Sequence, residues 1–268
     1  FIMLEFITLL LPFLLLGFVA AGLSRISGVA LSMIIVPTLL IWGARPLDVV
    51  AFMLLFVVYN NFTAETQDVR LDYKDLVLFP RWRIAIPIVL TALITFLSPP
   101  AGIGVFMACF VLELMATVYK RIPERDRPAI HRVVILSVLS AVVTAVGAYV
   151  GPTISEDYYF GFAGLAIMLI TAFAWYAGRN RDAFKGIWEF IWVDFGIFLG
   201  LFGVESSNYP AGLTRDYKTP MDRMLPMITV VGGYAGLMVV LGVYGLFSIP
   251  SFITAIGAAI GTRMFGLY

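Results

Sequence analysis

The chain has 268 residues, of which 61% are hydrophobic and 13% are charged, and its mean hydropathy is +0.96. A water-soluble domain is far less apolar, so the composition predicts a polytopic membrane protein. The 18 Lys and Arg residues nearly balance the 17 Asp and Glu residues, and we therefore expect no nucleic-acid partner. A single cysteine and a single histidine exclude disulfides, multi-histidine haem ligation and Cys- or His-rich metal sites, so we expect no cofactor and no metal ion.

Apolar runs along the chain predict the transmembrane elements. A helix needs about 20 residues to cross the hydrocarbon core, so two of the runs are short, and Pro99-Pro100 marks a tight break. The first run has neither a basic leader nor a clear cleavage site, and we interpret it as a mature membrane segment rather than a signal peptide. The runs lie at 3–21, 29–42, 46–64, 84–98, 101–119, 131–150, 158–178, 187–204, 221–246 and 250–267.

The positions of the basic residues predict the orientation of these runs. Cytoplasmic loops concentrate Lys and Arg, and 15 of the 18 basic residues lie in four connections. The connections 98–100, 151–157 and 247–249 contain none. We therefore expect four connections to face the cytoplasm, namely residues 65–83, 120–132, 179–186 and 213–223.

Two of these basic connections create a conflict that a simple crossing cannot resolve. Connections 179–186 and 213–223 both score as cytoplasmic, yet only the apolar run 187–204 and the polar stretch VESSNYPAGLT lie between them. Irregular backbone at membrane depth must be covered by protein or water. The chain must therefore enter the membrane and return, which predicts a broken or re-entrant helix. By the same count 46–64 runs from outside to inside, so a first broken element within 3–42 enters from the opposite face.

A weak internal repeat links the two broken elements. Pro46-Leu47-Asp48 recurs as Pro220-Met221-Asp222, an offset of 174 residues, and five predicted crossings separate the copies. An odd number of crossings inverts the second copy, and inverted repeats that meet at broken helices are a transporter architecture. We expect an all-α polytopic membrane protein with about seven full transmembrane helices plus two broken or re-entrant elements. Its parts are a first membrane repeat (1–119), basic loops with a connecting helix pair (120–186) and an inverted second repeat (187–268).

The stretch AGLSRISGVALSMIIVP at 21–37, followed by WGARPLDVVA at 42–51, resembles the TauE/SafE-type family of sulfite exporters. The hallmark of that family is a helix break written Gly-x-Gly-Gly-Gly and followed five residues later by proline. Only the first of those glycines is kept, and we interpret the chain as a divergent member. The matching positions are Gly28 for the first glycine, Ala30, Leu31 and Ser32 for the next glycines, and Pro37 for the proline.

The resemblance implies a secondary transporter, commonly an exporter, of small sulfur oxyanions or organosulfonates. We expect a small anionic substrate, a lipid bilayer as the surroundings, and a location in the bacterial inner membrane; a homo-oligomer or a larger membrane complex stays open. An enzyme is not expected, because its carboxylates are scattered and form no acid–base or metal constellation. The alternatives are a non-transporting accessory subunit of a larger complex and a membrane enzyme that acts on lipid.

The helix breaks supply the candidate substrate-binding residues. The N-terminus of a half-helix presents unpaired backbone N–H groups to an anion, and small residues let the ligand approach. The guanidinium of Arg25 adds a planar set of donors for sulfite, sulfonate or carboxylate oxygens. The alternative is that Arg25 lies in a cytoplasmic turn as an ordinary positive-inside residue. The candidates are Ser24, Arg25, Ser27, Gly28, Ala30 and Ser32 in the first break and Ser206, Ser207 and Asn208 in the second.

Two carboxylates in or beside an apolar run are candidates for proton coupling, namely Glu205 and Asp194. An intramembrane carboxylate can bind and release a proton as access alternates between the two sides. The alternatives are that Glu205 caps the preceding helix or pairs with Arg215, and that Asp194 makes a buried hydrogen bond. A polar cluster near the end of the run 46–64 either lines the pathway or lies at the membrane interface, and it consists of Tyr59, Asn60 and Asn61.

Overall fold

The structure, a computed structural model, describes residues 2–27, 31–65, 81–179, 186–205, 220–246 and 249–265. In this part of the chain the regular secondary structure is helical, with no strand, which confirms the predicted all-α fold. Single 3₁₀ turns lie at Glu124–Asp126 and Gly151–Thr153. The α-helices of the described residues are α1 (Ile2–Ser27), α2 (Leu31–Ile41), α3 (Pro46–Glu65), α4 (Arg81–Leu97), α5 (Pro99–Arg121), α6 (Ile130–Val150), α7 (Glu156–Arg179), α8 (Ile187–Asp194), α9 (Gly196–Phe202), α10 (Pro220–Val243) and α11 (Ile249–Phe265).

Proline residues mark the starts of several helices. The helices α3, α5 and α10 begin at Pro46, Pro99 and Pro220, and the break at Pro99-Pro100 is the turn between α4 and α5. Proline suits the first helical turn because that turn needs no N–H donor and the ring fixes a helical φ. Each apolar run forms one helix except 187–204, which forms α8 and α9.

The first helix extends further than its apolar run. The run ends at residue 21, whereas α1 continues to Ser27. A helix satisfies its backbone hydrogen bonds within itself, so a few polar side chains near its end do not stop it. With 11 residues, α2 spans only about 16 Å, too short to cross a bilayer by itself.

Close contact between backbones joins α1 to α11. A Cβ added to Gly17 would lie 1.9 Å from the carbonyl oxygen of Thr254, and one added to Gly257 would lie 2.1 Å from that of Leu14. Only glycine permits such an approach, which is the usual way that apolar helices pack tightly in membranes. Since Gly261 likewise faces Phe18, the two helices run parallel.

The centre of the bundle is α3. All ten residues from 49 to 58 are buried and apolar, and a helix that is apolar all round needs neighbours on every side. α10 packs on it antiparallel, because Gly236 faces Leu54 whereas Gly233 faces Val57. α11 also packs on α3.

α6 packs along α10 in the parallel direction. Gly232 of α10 faces Ser140, and near the other end the Tyr244 hydroxyl donates to the Tyr149 carbonyl. The direction of α6 is therefore opposite to that of α3. These relative directions agree with the alternation that the basic connections predict.

Two features favour a membrane location for the bundle. Among the described residues, the segments Ile130–Thr153 and Met224–Val243 are long and apolar enough to span a bilayer. In addition, α4, α6 and α7 expose large apolar side chains such as Phe96, Val138 and Met168. Exposed apolar surface of this extent is stable against hydrocarbon rather than water.

Candidate functional site

The broken helix α8–α9 lies alongside α6 along most of its length. At one end, Nε of Arg132 on α6 lies 2.9 Å from Oε2 of Glu189 on α8. At the other end, a Cβ on Gly151 would lie 2.6 Å from the carbonyl oxygen of Leu201 on α9. The interruption at Phe195 bends this element without reversing it.

The chain reverses directly after α9. Gly203 has a φ of 72°. The Gly203 N–H donates to the Leu199 carbonyl at 2.9 Å, and the Val204 N–H donates to the Phe198 carbonyl at 3.2 Å. This is a glycine C-cap of the Schellman type. A Cβ on Gly203 would lie 2.9 Å from Cγ of Met53, so both the conformation and the space require glycine.

The residue that follows this turn reaches back into the bundle. Nδ2 of Asn61 donates to Oε1 of Glu205 at 2.9 Å, and Glu205 is only 1% exposed. Gly203 contacts Met53, whereas Asn61 lies eight residues, about two turns, further along α3. The chain therefore heads back along α3.

The next described residues begin at the opposite end of the bundle. Met221 and Met224, in the first turns of α10, pack with Val133 and Leu136 in the first turns of α6. The end of α9, in contrast, lies beside the last turn of α6. The end of α9 and the start of α10 therefore lie at opposite ends of the bundle.

A second buried hydrogen bond lies next to the first. Oγ1 of Thr262 on α11 donates to Oδ1 of Asn60, and both side chains are buried. Successive residues of a helix point about 100° apart, so Asn60 and Asn61 reach different neighbours. The two amides tie α3 to α11 and to the returning segment. Both amides are buried inside the protein.

These four side chains form a polar layer inside the bundle. Its members are Asn60, Asn61, Glu205 and Thr262. A buried carboxyl group has lost its hydration, so its stability depends on the hydrogen bonds, protons or cations next to its oxygens. Asn61 supplies one neutral donor.

The predicted residues of the first break lie at the junction of α1 and α2. Ser24, Arg25 and Ser27 belong to the last turns of α1 rather than to a break, because the helix continues to Ser27. Ser32 lies in the first turn of α2; its side chain is fully buried, and its Oγ has no hydrogen-bond partner among the described residues. Gly28 and Ala30 lie outside the described residues.

The predicted residues at and near the second break differ in their surroundings. Glu205 is buried in the bundle, whereas Asp194 is exposed at the end of α8. The structure thus places the two proton-coupling candidates in different surroundings. The remaining candidates of this break lie outside the described residues, and they are Ser206, Ser207 and Asn208.

Two apolar cavities accompany the bundle, and neither is lined by the predicted anion-binding residues. One, of about 340 Å³, lies between α1, α2, α3 and α11. The other, of about 410 Å³, lies between α5, α6 and α10. Their apolar walls suit hydrocarbon rather than an oxyanion.

Sequence reasoning missed the partners of these polar groups. Thr262 and the ion pair of Arg132 with Glu189 carried no local signal, because each partner lies in a distant part of the chain. Asn60 and Asn61 did carry a local signal in the sequence, since two amides in succession are unusual in an apolar run.

Comparison of the chain with protein-family models, with curated proteins and with solved structures finds no match. The resemblance to the sulfite exporters therefore depends on the residues quoted from 21–51. Among the described residues, no three His, Cys, Asp or Glu side chains lie close enough together to hold a metal ion. The chemistry available at the site is that of hydroxyl, amide and carboxyl groups.

Proposed function

We propose that the protein is a secondary membrane transporter that exports a small anion, such as sulfite or an organosulfonate, as a divergent relative of the TauE/SafE-type exporters. About seven full crossings and two broken elements form the pathway. The observation that carries the proposal is the reversal at Gly203, which brings the carboxyl group of Glu205 to Asn61 inside the bundle.

The spacing of the helices supports an inverted repeat. Eighteen residues separate the end of α1 from the start of α3, and 17 separate the end of α9 from the start of α10. The helices that follow, α3 and α10, both begin with Pro-x-Asp. The segments that precede these two helices therefore match in length.

The contact between α3 and α10 supports the same relation. Val57 lies 11 residues after Pro46, and Gly233, which packs against it, lies 13 residues after Pro220. The two helices are antiparallel, and their contact point lies at nearly the same number of residues from the Pro-x-Asp start of each. Such a pair is related by a pseudo-two-fold axis. In inverted-repeat transporters, such an axis passes between the broken helices that form the substrate site.

The anion binds at the N-terminus of α2 in this proposal. The first turn of a helix has unpaired N–H groups, and the buried hydroxyl of Ser32 adds a donor there. Arg25, two residues before the end of α1, supplies a guanidinium that matches two oxygens of a sulfonate. Ser206, Ser207 and Asn208 complete the site from the second break.

Glu205 couples transport to a proton. Uptake of a proton by Glu205 removes a charge from the bundle interior and favours the buried position beside Asn61. Release of the proton favours a position nearer water, and the returning segment moves with it. Asp194 remains the second candidate, with less support because its side chain is exposed.

The test is the flux of radiolabelled methanesulfonate into proteoliposomes that contain the purified protein. Arg25→Ala lowers the affinity about ten- to a hundredfold, and Arg25→Lys lowers it less because the charge remains without the planar donors. Ser32→Ala lowers it about two- to tenfold. Ser98→Ala, whose hydroxyl makes no capping bond at the start of α5, serves as the matched control.

Loss of affinity in the Arg25 and Ser32 variants, with a normal control, supports the proposed site. Flux with wild-type affinity in all three variants contradicts the site. An absence of flux in the wild-type protein contradicts transport of this anion and favours the accessory-subunit or lipid-enzyme alternative.

A further inference from the structure

The larger of the two cavities is an open groove between α5, α6 and α10. Met224 and Val231 of α10 line it, and Leu112, Val134 and Val138 also line it and are exposed. Its walls are apolar apart from a few groups such as Lys120 and Ser137.

The groove has the dimensions of a lipid chain. It extends from Ile130 to Ala141 of α6, a distance of about 17 Å at the rise of an α-helix. Half of the hydrocarbon core of a bilayer measures about 15 Å. Because Val134 and Val138 are exposed, the groove opens on the surface that the bundle turns to hydrocarbon.

One end of the groove is basic. Lys120 lies there with an exposed side chain, and the guanidinium of Arg127 donates to the Lys120 carbonyl at 3.1 Å. Five basic and two acidic residues occupy positions 120–132. The two acids pair elsewhere, Glu124 with Arg127 and Asp126 with Arg125. In the described part of the chain no acid forms an ion pair with Lys120.

We propose that this groove binds an anionic phospholipid, with one acyl chain in the groove and the phosphate at Lys120. Hydrocarbon covers the apolar walls, and the positive end attracts the negative headgroup. Basic groups beside apolar clefts between transmembrane helices recognise anionic lipids in this way. The basic connection also assigns the site to the cytoplasmic leaflet.

The smaller cavity offers a control within the same chain. It is also apolar and also bounded by exposed residues such as Leu16 and Trp42. However, its polar end is an internally neutralised pair, in which Nε of Arg45 lies 2.8 Å from Oδ2 of Asp48. A chain can enter this cavity without any preference for a negative headgroup.

The experiment measures the binding of phosphatidylglycerol and phosphatidylcholine, with identical chains, to delipidated protein in a neutral detergent. Native mass spectrometry counts the bound lipids, and titration at low and high salt gives the affinities. The wild-type protein binds phosphatidylglycerol more tightly, and high salt removes the preference. Lys120→Ala lowers the affinity for phosphatidylglycerol about fivefold and leaves that for phosphatidylcholine unchanged.

Further variants separate the contribution of the apolar groove to lipid binding from that of the positive charge. Ala116→Phe fills the groove and lowers the binding of both lipids, whereas Ala20→Phe in the smaller cavity and Arg45→Ala leave the headgroup preference intact. The exposed Lys120 can be replaced without disturbing the fold. If Ala116→Phe does not fold, Lys120→Ala alone tests whether the groove prefers the anionic lipid. Equal affinity for both lipids in the wild-type protein, or an unchanged preference in Lys120→Ala, overturns the proposal.

Discussion

Two buried glutamates lie at opposite ends of the same broken helix, and their surroundings differ. Glu189, in the first turn of α8, pairs with the guanidinium of Arg132 at 2.9 Å. Glu205, just past the end of α9, accepts a hydrogen bond from the neutral amide of Asn61 at 2.9 Å. Both residues are at most 5% exposed.

The difference separates a structural role from a proposed coupling role. A carboxylate beside a guanidinium keeps its charge, and the pair fixes α8 against α6. Nη2 of Arg132 also donates to the Gly186 carbonyl at 2.9 Å, which strengthens the joint. At the other end, Glu205 accepts a hydrogen bond from the amide of Asn61. The first arrangement holds the broken helix, and the second is the one for which proton coupling is proposed.

The largest expected effect on stability is at the ion pair of Arg132 with Glu189. Arg132→Ala leaves Glu189 buried without its cation and lowers the free energy of unfolding by about 2–3 kcal/mol, less than for a fully buried pair because Arg132 is 34% exposed. Thermal unfolding in detergent measures the change. Arg125→Ala, which removes an exposed pair, is the matched control and changes stability by less than about 0.5 kcal/mol. Equal effects of the two variants contradict the structural role.

A smaller effect on stability is expected at the hydrogen bond between Asn61 and Glu205. Asn61→Ala removes the donor to the Glu205 carboxyl group and lowers the free energy of unfolding by about 1–2 kcal/mol. In the double variant with Glu205→Ala, the two effects do not add, because the residues share one hydrogen bond. Strict additivity of the unfolding free energies contradicts a direct interaction between them.

The sequence allowed the helices to be predicted better than the site. Apolar runs located each helix, and Pro-x-Asp marked the starts of α3 and α10, because proline and an acid are both favoured in a first turn. The end of α1 was misplaced, since Ser24 and Arg25 are polar yet helical. The contact of Asn61 with Glu205 joins residues 144 positions apart, and only tertiary packing brings them together.

The smallest effect on stability is expected for Glu205→Gln. The amide keeps the size of the side chain, and its carbonyl oxygen accepts the bond from Asn61 as the carboxyl oxygen does. We expect the free energy of unfolding to change by less than about 1 kcal/mol. Glu189→Gln, in contrast, removes the charge next to Arg132 and destabilises the protein more. The reverse order in thermal unfolding contradicts the assignment of roles.

The most direct measurement of proton coupling is flux driven by a pH gradient in proteoliposomes. Radiolabelled methanesulfonate is followed with and without the gradient for the wild-type protein, for Glu205→Gln and for Glu156→Gln, an exposed control at the start of α7. We expect the gradient to drive net flux in the wild type and in the control. In Glu205→Gln the gradient drives none, although the exchange of labelled for unlabelled anion persists. Gradient-driven flux of Glu205→Gln equal to that of the wild type contradicts the account.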